Sequence, residues 1–313
     1  MLKKHFSRIG LILLTLILLS CGLLSCSGGT AMNKPDTTNE TAAPVTEPEK
    51  KMTNFSEYAE ADASYINKQT LRFYCCTNEE LIPSGKKVTG FVLEFPGLDG
   101  NSCLGGSMGN MSVYNNSFTK TCAENGVVVA YMFPGPWSWM NLGAVRITDL
   151  VVDALMDKYG FTSEDDFTLI VMGGSMGGQA SLIYTADSKH TVDACVAHCP
   201  CYDVIQCFKS DIGFPRTFVA AVNAYDMPLD DALKAISPAH RIADMPKIPY
   251  LVTADELDEV FPVKGVEKYV DSLKNAGFDV TYLRLDGKKH GEISPADRNT
   301  MDAFIFKYSG IRG

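Results

Sequence analysis

The pentapeptide GGSMG occurs twice, at 105–109 and at 173–177, and each copy fits G-x-S-x-G, the pattern that sets a nucleophilic serine on a sharp turn between a strand and a helix. Such a serine attacks an acyl carbon once an imidazole takes its proton and a carboxylate holds that imidazole, so the chemistry at issue is acyl transfer through a covalent serine intermediate. What surrounds the two copies separates them. Ser175 directly follows the apolar run FTLIVM and precedes GQASLIYTA, which has helical character; this is the strand, elbow and helix that the pattern requires. Ser107 lies in PGLDGNSCLGGSMGN, about a dozen residues past the nearest strand candidate, with no strand leading into its turn. Ser175 is therefore the expected nucleophile and Ser107 a loop serine.

A base and an acid must come from later in the chain. Of the five histidines, His5 belongs to the N-terminal segment, His190 and His240 read as exposed, and His198 ends an apolar run with no loop to carry it. His290, in LDGKKHGEIS after the final strand candidate, sits in a loop that can reach back to Ser175. The preceding strand candidate runs into YLVTADELDEVFP, which offers Asp255, Glu256, Asp258 and Glu259. Glu292, two residues past His290, reads as a solvated loop acid.

These residues need a scaffold that brings distant loops to one edge. Six short β-rich runs, at 87–95, 126–133, 167–172, 191–198, 248–254 and 279–285, alternate with longer amphipathic segments, the order of an α/β domain with a mostly parallel sheet. AVRITDLVVDALMDKYG repeats apolar residues at three and four and stops at Gly160, a natural helix C-cap. VKGVEKYVDSLKNAG and NTMDAFIFKYS are the last two helices. No strand appears between about 200 and 246, where Pro215, Pro228 and Pro238 interrupt helix-like segments; a helical cap over the carboxyl edge of the sheet is expected there.

Taken together, GGSMGG after a strand, DEVFP and GKKHGE resemble the α/β-hydrolase fold, in the catalytic-domain type shared by prolyl-oligopeptidase-like peptidases and their esterase relatives, over about 70–308. The resemblance implies Asp258 as the acid, because an acid followed by a valine, a hydrophobe and a proline recurs there, with Asp255 as the alternative. It also implies an oxyanion hole made of the amides of Met176 and Leu98, the latter just after Gly97 in FPGLDG; Pro96 departs from the histidine usual in that loop. GPWSWMNLG places Trp137 and Trp139 at the active edge, where they either stack on a sugar or aromatic group or pack against the cap. No metal ion or organic cofactor is implied.

The N-terminus, MLKKHFSRIGLILLTLILLSCGLLSCSGGT, has the charge-then-apolar order of an export signal. Its apolar run is shorter than the ~20 residues of a spanning helix. Cys21 and Cys26 each follow Leu-Leu-Ser and resemble a bacterial lipobox; Cys26 is preferred, since the polar stretch begins directly after it. The expected organisation is a signal at 1–25, a disordered tether at 26–55 that is too poor in bulky apolar residues to fold, and a hydrolase domain at 56–313. Localisation on the outer face of a bacterial membrane follows, with the lipid as the only membrane contact.

An excess of 37 acidic over 28 basic side chains argues against a nucleic-acid partner. Cysteines 195, 199 and 201 with His198 are close in sequence, but CVAHCPC lacks the paired spacing of a zinc site and its thiols read as small apolar groups; disulfides stay open in an oxidising compartment. The expected substrate is a small-molecule or oligosaccharide ester, cleaved by an esterase acting on exogenous acylated carbohydrate. A prolyl-oligopeptidase-like peptidase and a non-catalytic binding lipoprotein are the alternatives.

Overall fold

A computed structural model of the chain describes residues 65–98, 114–210 and 215–311. The segments expected to be an export signal and a tether, with Cys21 and Cys26, and also Cys103 and Ser107, lie outside the described residues.

Seven strands form one sheet in the order β1-β3-β2-β4-β5-β6-β7: β1 (Cys75–Thr77), β2 (Gly90–Phe95), β3 (Val127–Met132), β4 (Thr168–Gly174), β5 (Ala194–His198), β6 (Pro249–Asp255) and β7 (Asp279–Leu285). β2 to β7 pair in parallel, and only β1 runs antiparallel, against β3. The six apolar runs of the sequence are these parallel strands. The alternation of side chains divides each central strand between two apolar layers. Phe91, Leu93 and Phe95 of β2 face the layer that also takes in α2 (Leu142–Tyr159), α3 (Met176–Asp187) and α7 (Val263–Asn275). Val92 joins the opposite layer, under α1 (Ser117–Glu124) and α8 (Pro295–Tyr308).

Helix ends follow local chemistry. The Asn141 side chain accepts the Ala144 amide at 2.9 Å to start α2, and Gly160, at φ 75°, ends it in the left-handed conformation that a residue without Cβ adopts freely. Three short helices fill the interval after β5: α4 (Val204–Lys209), α5 (Pro215–Val222) and α6 (Leu229–Ala235). The prolines that looked like interruptions stand at helix starts: Pro215 opens α5, Pro228 caps α6, and Pro238 opens a 3-10 turn. Missing amide protons cost nothing in a first turn.

This cap has its own core, in which Val204, Phe218, Leu233 and Ile236 pack with Trp139, with Met176 at the start of α3, and with Phe261 of the loop after β6. Two buried amides fasten it. Gln179 Nε2 donates to Trp139 O at 3.0 Å and Ile236 O at 2.7 Å, and Asn141 Nδ2 donates to Ala221 O at 2.7 Å. Among the described residues no helix is long and apolar enough to cross a membrane.

Candidate active site

Ser175 stands between the last residue of β4 and the first of α3, at φ 59° and ψ −121°. A side chain rarely adopts that conformation, which costs on the order of 1–3 kcal/mol and persists only where the surroundings fix it. The surroundings are the glycines. A Cβ on Gly177 would lie 2.1 Å from Phe95 O, and one on Gly173 would lie 2.4 Å from Gly177 O, so strand and helix approach as closely as bare backbone permits. The Ser175 amide donates to His198 O at 2.9 Å, which fastens the elbow to β5.

The serine hydroxyl therefore projects above the carboxyl edge of the sheet, and the loops after β6 and β7 meet it there. Ser175 Oγ lies 2.9 Å from His290 Nε2, and His290 Nδ1 lies 2.8 Å from Asp258 Oδ2. Asp258 Oδ1 accepts the amides of Val260 and Phe261 at 2.7 and 2.8 Å, so the carboxylate cannot turn away from the imidazole. Phe261 sets its ring edge-on to His290 at 5.2 Å between centroids, closing one side of the base to water. The loops are also strapped to each other: the Leu257 amide donates to Lys288 O at 2.7 Å, and Glu256 accepts the Gly287 amide at 2.7 Å.

Met176 supplies the first amide of α3, where the helix leaves its N–H groups unsatisfied. Leu98 lies across the cavity, and its carbonyl accepts Trp137 Nε1 at 3.2 Å. Neither amide donates to any described group. The cavity above Ser175 has a volume of about 510 Å³ and is lined by Leu98, Trp139, Val260, Phe261 and His290, with Glu94, His198 and Arg298 among its polar walls.

The two tryptophans have separate fates. Trp139 is fully buried, packs on Phe218 at 4.3 Å and donates to Thr217 Oγ1 at 3.0 Å, so the cap holds it while it still lines the cavity. Trp137 keeps 44% of its surface exposed beside Leu98. Glu292 is exposed and accepts the Lys289 amide at 3.0 Å. His190, expected at the surface, is buried instead: its ring sits within 3.3 Å of Asp153 and 2.8 Å of Glu164. Burial alone would lower its pKa, but those carboxylates outweigh burial and raise it.

Two further groups stand beside the triad, one that the sequence offered as the alternative acid and one that it set aside. Asp255, the alternative acid, is fully buried and takes the Gly291 amide at 2.8 Å. His198 ends β5 inside the cavity, with Nδ1 2.7 Å from Thr253 Oγ1; burial, helped by the charge on Arg298, brings its pKa down to about 4, so the ring is neutral near pH 7. The register His198↔Thr253 puts it there, and an isolated apolar strand does not reveal its register.

The seven described cysteines are all buried. Cys201 and Cys207 approach to 3.5 Å between sulfurs. Among the described residues the one cluster with metal-ligand atoms close together is Cys199, Asp255, Asp258 and His290, which does not include Cys195, Cys201 or His198.

A family model for the prolyl oligopeptidase family matches residues 137–310. No curated protein sequence matches the chain. Among solved structures, a puromycin-hydrolyzing peptidase of Mycobacterium tuberculosis superposes with a TM-score of 0.58 at 18% identity, over 74% of this chain and 35% of that one. An acylaminoacyl peptidase of Pyrococcus horikoshii gives 0.57 at 15% identity, over 74% of this chain and 39% of that one. A truncated carbohydrate esterase from gut microbiota gives 0.54 at 14% identity, over 73% of this chain and 89% of that one. The chain thus spans well under half the length of these peptidases, and the likeness at such identities is one of fold.

Proposed function

The chain belongs to the prolyl oligopeptidase family of serine hydrolases, and on that premise we propose that it cleaves carboxylic esters through an acyl-enzyme intermediate on Ser175. The observation that carries the reading is the unbroken hydrogen-bonded line from Ser175 Oγ through His290 to Asp258, at 2.9 and 2.8 Å. His290 takes the serine proton as Oγ bonds to the acyl carbon, then returns it to the leaving alcohol. Asp258 holds the proton on Nδ1, which leaves Nε2 free to accept, and stabilises the charged ring. The carbonyl oxygen, negative in the tetrahedral intermediate, faces the amides of Met176 and Leu98 and the positive end of α3. Water then enters on the same base and releases the acid.

The leaving group we favour is the hydroxyl of an acylated carbohydrate outside the cell. Trp137 supports it, since an exposed indole held beside the oxyanion loop offers a sugar ring an apolar face. The proposal extends to export and to anchoring through a lipid on Cys26, as the N-terminal sequence suggests. The test is a panel of acetylated xylan, feruloyl esters and dipeptidyl amides with the parent protein and Ser175→Ala. Ester cleavage that falls by about 10⁶ in kcat on losing the hydroxyl is expected. Preferential cleavage of the amides would replace the esterase reading by a peptidase, and ester cleavage that survives in Ser175→Ala would remove the nucleophile.

A further inference from the structure

The last residue of β6 and the loop that follows place two aspartates three residues apart beside one imidazole, and the hydrogen bond to His290 Nδ1 accounts for only one of them. Asp255 is as buried as any described residue, although an unpaired carboxylate in such a place is costly. Its oxygen lies within 4.8 Å of a His290 ring nitrogen and of an Asp258 oxygen. Oδ2 accepts the amide of Gly291, the residue after the base, whose φ of 76° turns the chain back at that point. The charged and titratable groups that face it are Asp258 from the loop that follows it, His290 from the loop after β7, and His198 and Cys199 from the end of β5, with His198 Nδ1 4.0 Å from Oδ1.

We propose that Asp255 is a positioning residue of the hydrolase: it fixes the His290 loop through the Gly291 amide and sets a second negative charge beside the ring that receives the serine proton. The inference rests on the triad reading above. During acylation the proton passes from Ser175 Oγ to His290 Nε2 while the Oγ–acyl bond forms, and the ring carries a positive charge until the leaving group takes the proton. Asp255 gives and receives none; its charge favours the ring in the protonated state. Burial, with the Asp258 charge adding to it and the Gly291 amide opposing, pushes the Asp255 carboxyl up to about 6, so the second charge is present at neutral pH and fades in mild acid.

Asp255→Asn separates this role from simple packing, because the amide oxygen still accepts from Gly291 while the charge is gone. With the ring's proton held less firmly, the acid limb of kcat/KM moves to lower pH by about two units, as a unit charge within 4.8 Å predicts at the effective dielectric of about 20 that holds for buried sites. The base is also weaker, so the neutral plateau falls, by roughly tenfold. Asp255→Ala loses the Gly291 acceptor as well and falls further. An Asn variant with the parent's acid limb overturns the inference whatever its rate, and an Ala variant as active as the Asn variant overturns the anchoring. If Asp255→Asn does not fold, the parent decides: its acid limb is broader than a single ionisation, because the Asp255 charge, which fades in mild acid, acts on the ring whose protonation the limb reports. A limb that follows one ionisation overturns the inference. A parent that cleaves no ester refutes the hydrolase reading itself, which is a different outcome from an active parent with an unmoved limb.

Discussion

Replacing Gly177 by alanine inserts one methyl group at the most crowded point of the elbow. That carbon would stand 2.1 Å from Phe95 O, 2.8 Å from Phe95 C and 3.0 Å from Pro96 O. Carbon and oxygen in contact prefer about 3.3 Å or more, so the backbone at 95–96 must move away by about 1 Å. The segment cannot move alone, because Phe95 is the end of β2 and Pro96 leads through Gly97 to Leu98, one of the two proposed oxyanion amides. Overpacking of this kind costs about 1–3 kcal/mol, which lowers Tm by roughly 3–10 °C for a domain of this size. An amide displaced by about 1 Å costs on the order of 10²-fold in rate. Gly174, two residues before Met176 in the same pentapeptide, is the control: a Cβ there meets only the edge of the His198 ring, at 3.3 Å, which a small side-chain rotation relieves. Ester kinetics and thermal melts of Gly177→Ala and Gly174→Ala should therefore diverge, with the first losing both rate and Tm and the second losing far less of each. Equal behaviour of the two, or a Gly177→Ala protein with the parent's rate and melting point, would refute the argument that bare backbone contact builds the elbow.

Asp258→Asn keeps the shape of the acid but offers His290 the wrong hydrogen-bonding pattern, and kcat should fall by about 10⁴ with little change in KM; a change confined to KM would contradict the role assigned to it. Trp137→Ala should raise KM for an acylated oligosaccharide by about tenfold, consistent with losing one stacked ring, and an unchanged KM would remove the sugar platform. His190 offers a test by pH. Its pKa is raised in the folded chain, so its contribution to stability is complete below the unfolded value near 6.5 and disappears as pH rises through the folded one. His190→Gln should consequently lower Tm by a few degrees at pH 6 and by much less at pH 9. A loss independent of pH would mean that packing, not charge, is what the imidazole supplies.

The sequence announces β2 to β6 because they are largely apolar runs covered on both faces, and β7, an edge strand in which only Leu285 is buried, by its β-branched and aromatic residues; these runs recur in the structure within a few residues. It announces the elbow because glycines cluster where a strand ends. β1 escaped: Cys75–Thr77 is three residues long and is held by pairing with β3 rather than by any pattern of its own. α1 escaped because SFTKTCAE is only eight residues long and three of its four buried residues, Thr119, Cys122 and Ala123, are small. The burial of His190 was invisible for a different reason. Its partners Asp153 and Glu164 come from α2 and from the turn before β4, and neither charge lies near it in sequence. Likewise the four acids at the end of β6 and just after it differ in what they meet across space, and the Gly291 amide that distinguishes Asp255 belongs to the loop after β7.

The account stands on Ser175 as the residue that takes the acyl group, and a fluorophosphonate adduct tests that directly. Digestion of the labelled protein and mass measurement of its peptides should place the phosphonyl group on Ser175, in a reaction that fails when His290 is replaced by alanine. Label found on Ser107 in the twin pentapeptide, or no label on an otherwise folded protein, would contradict it.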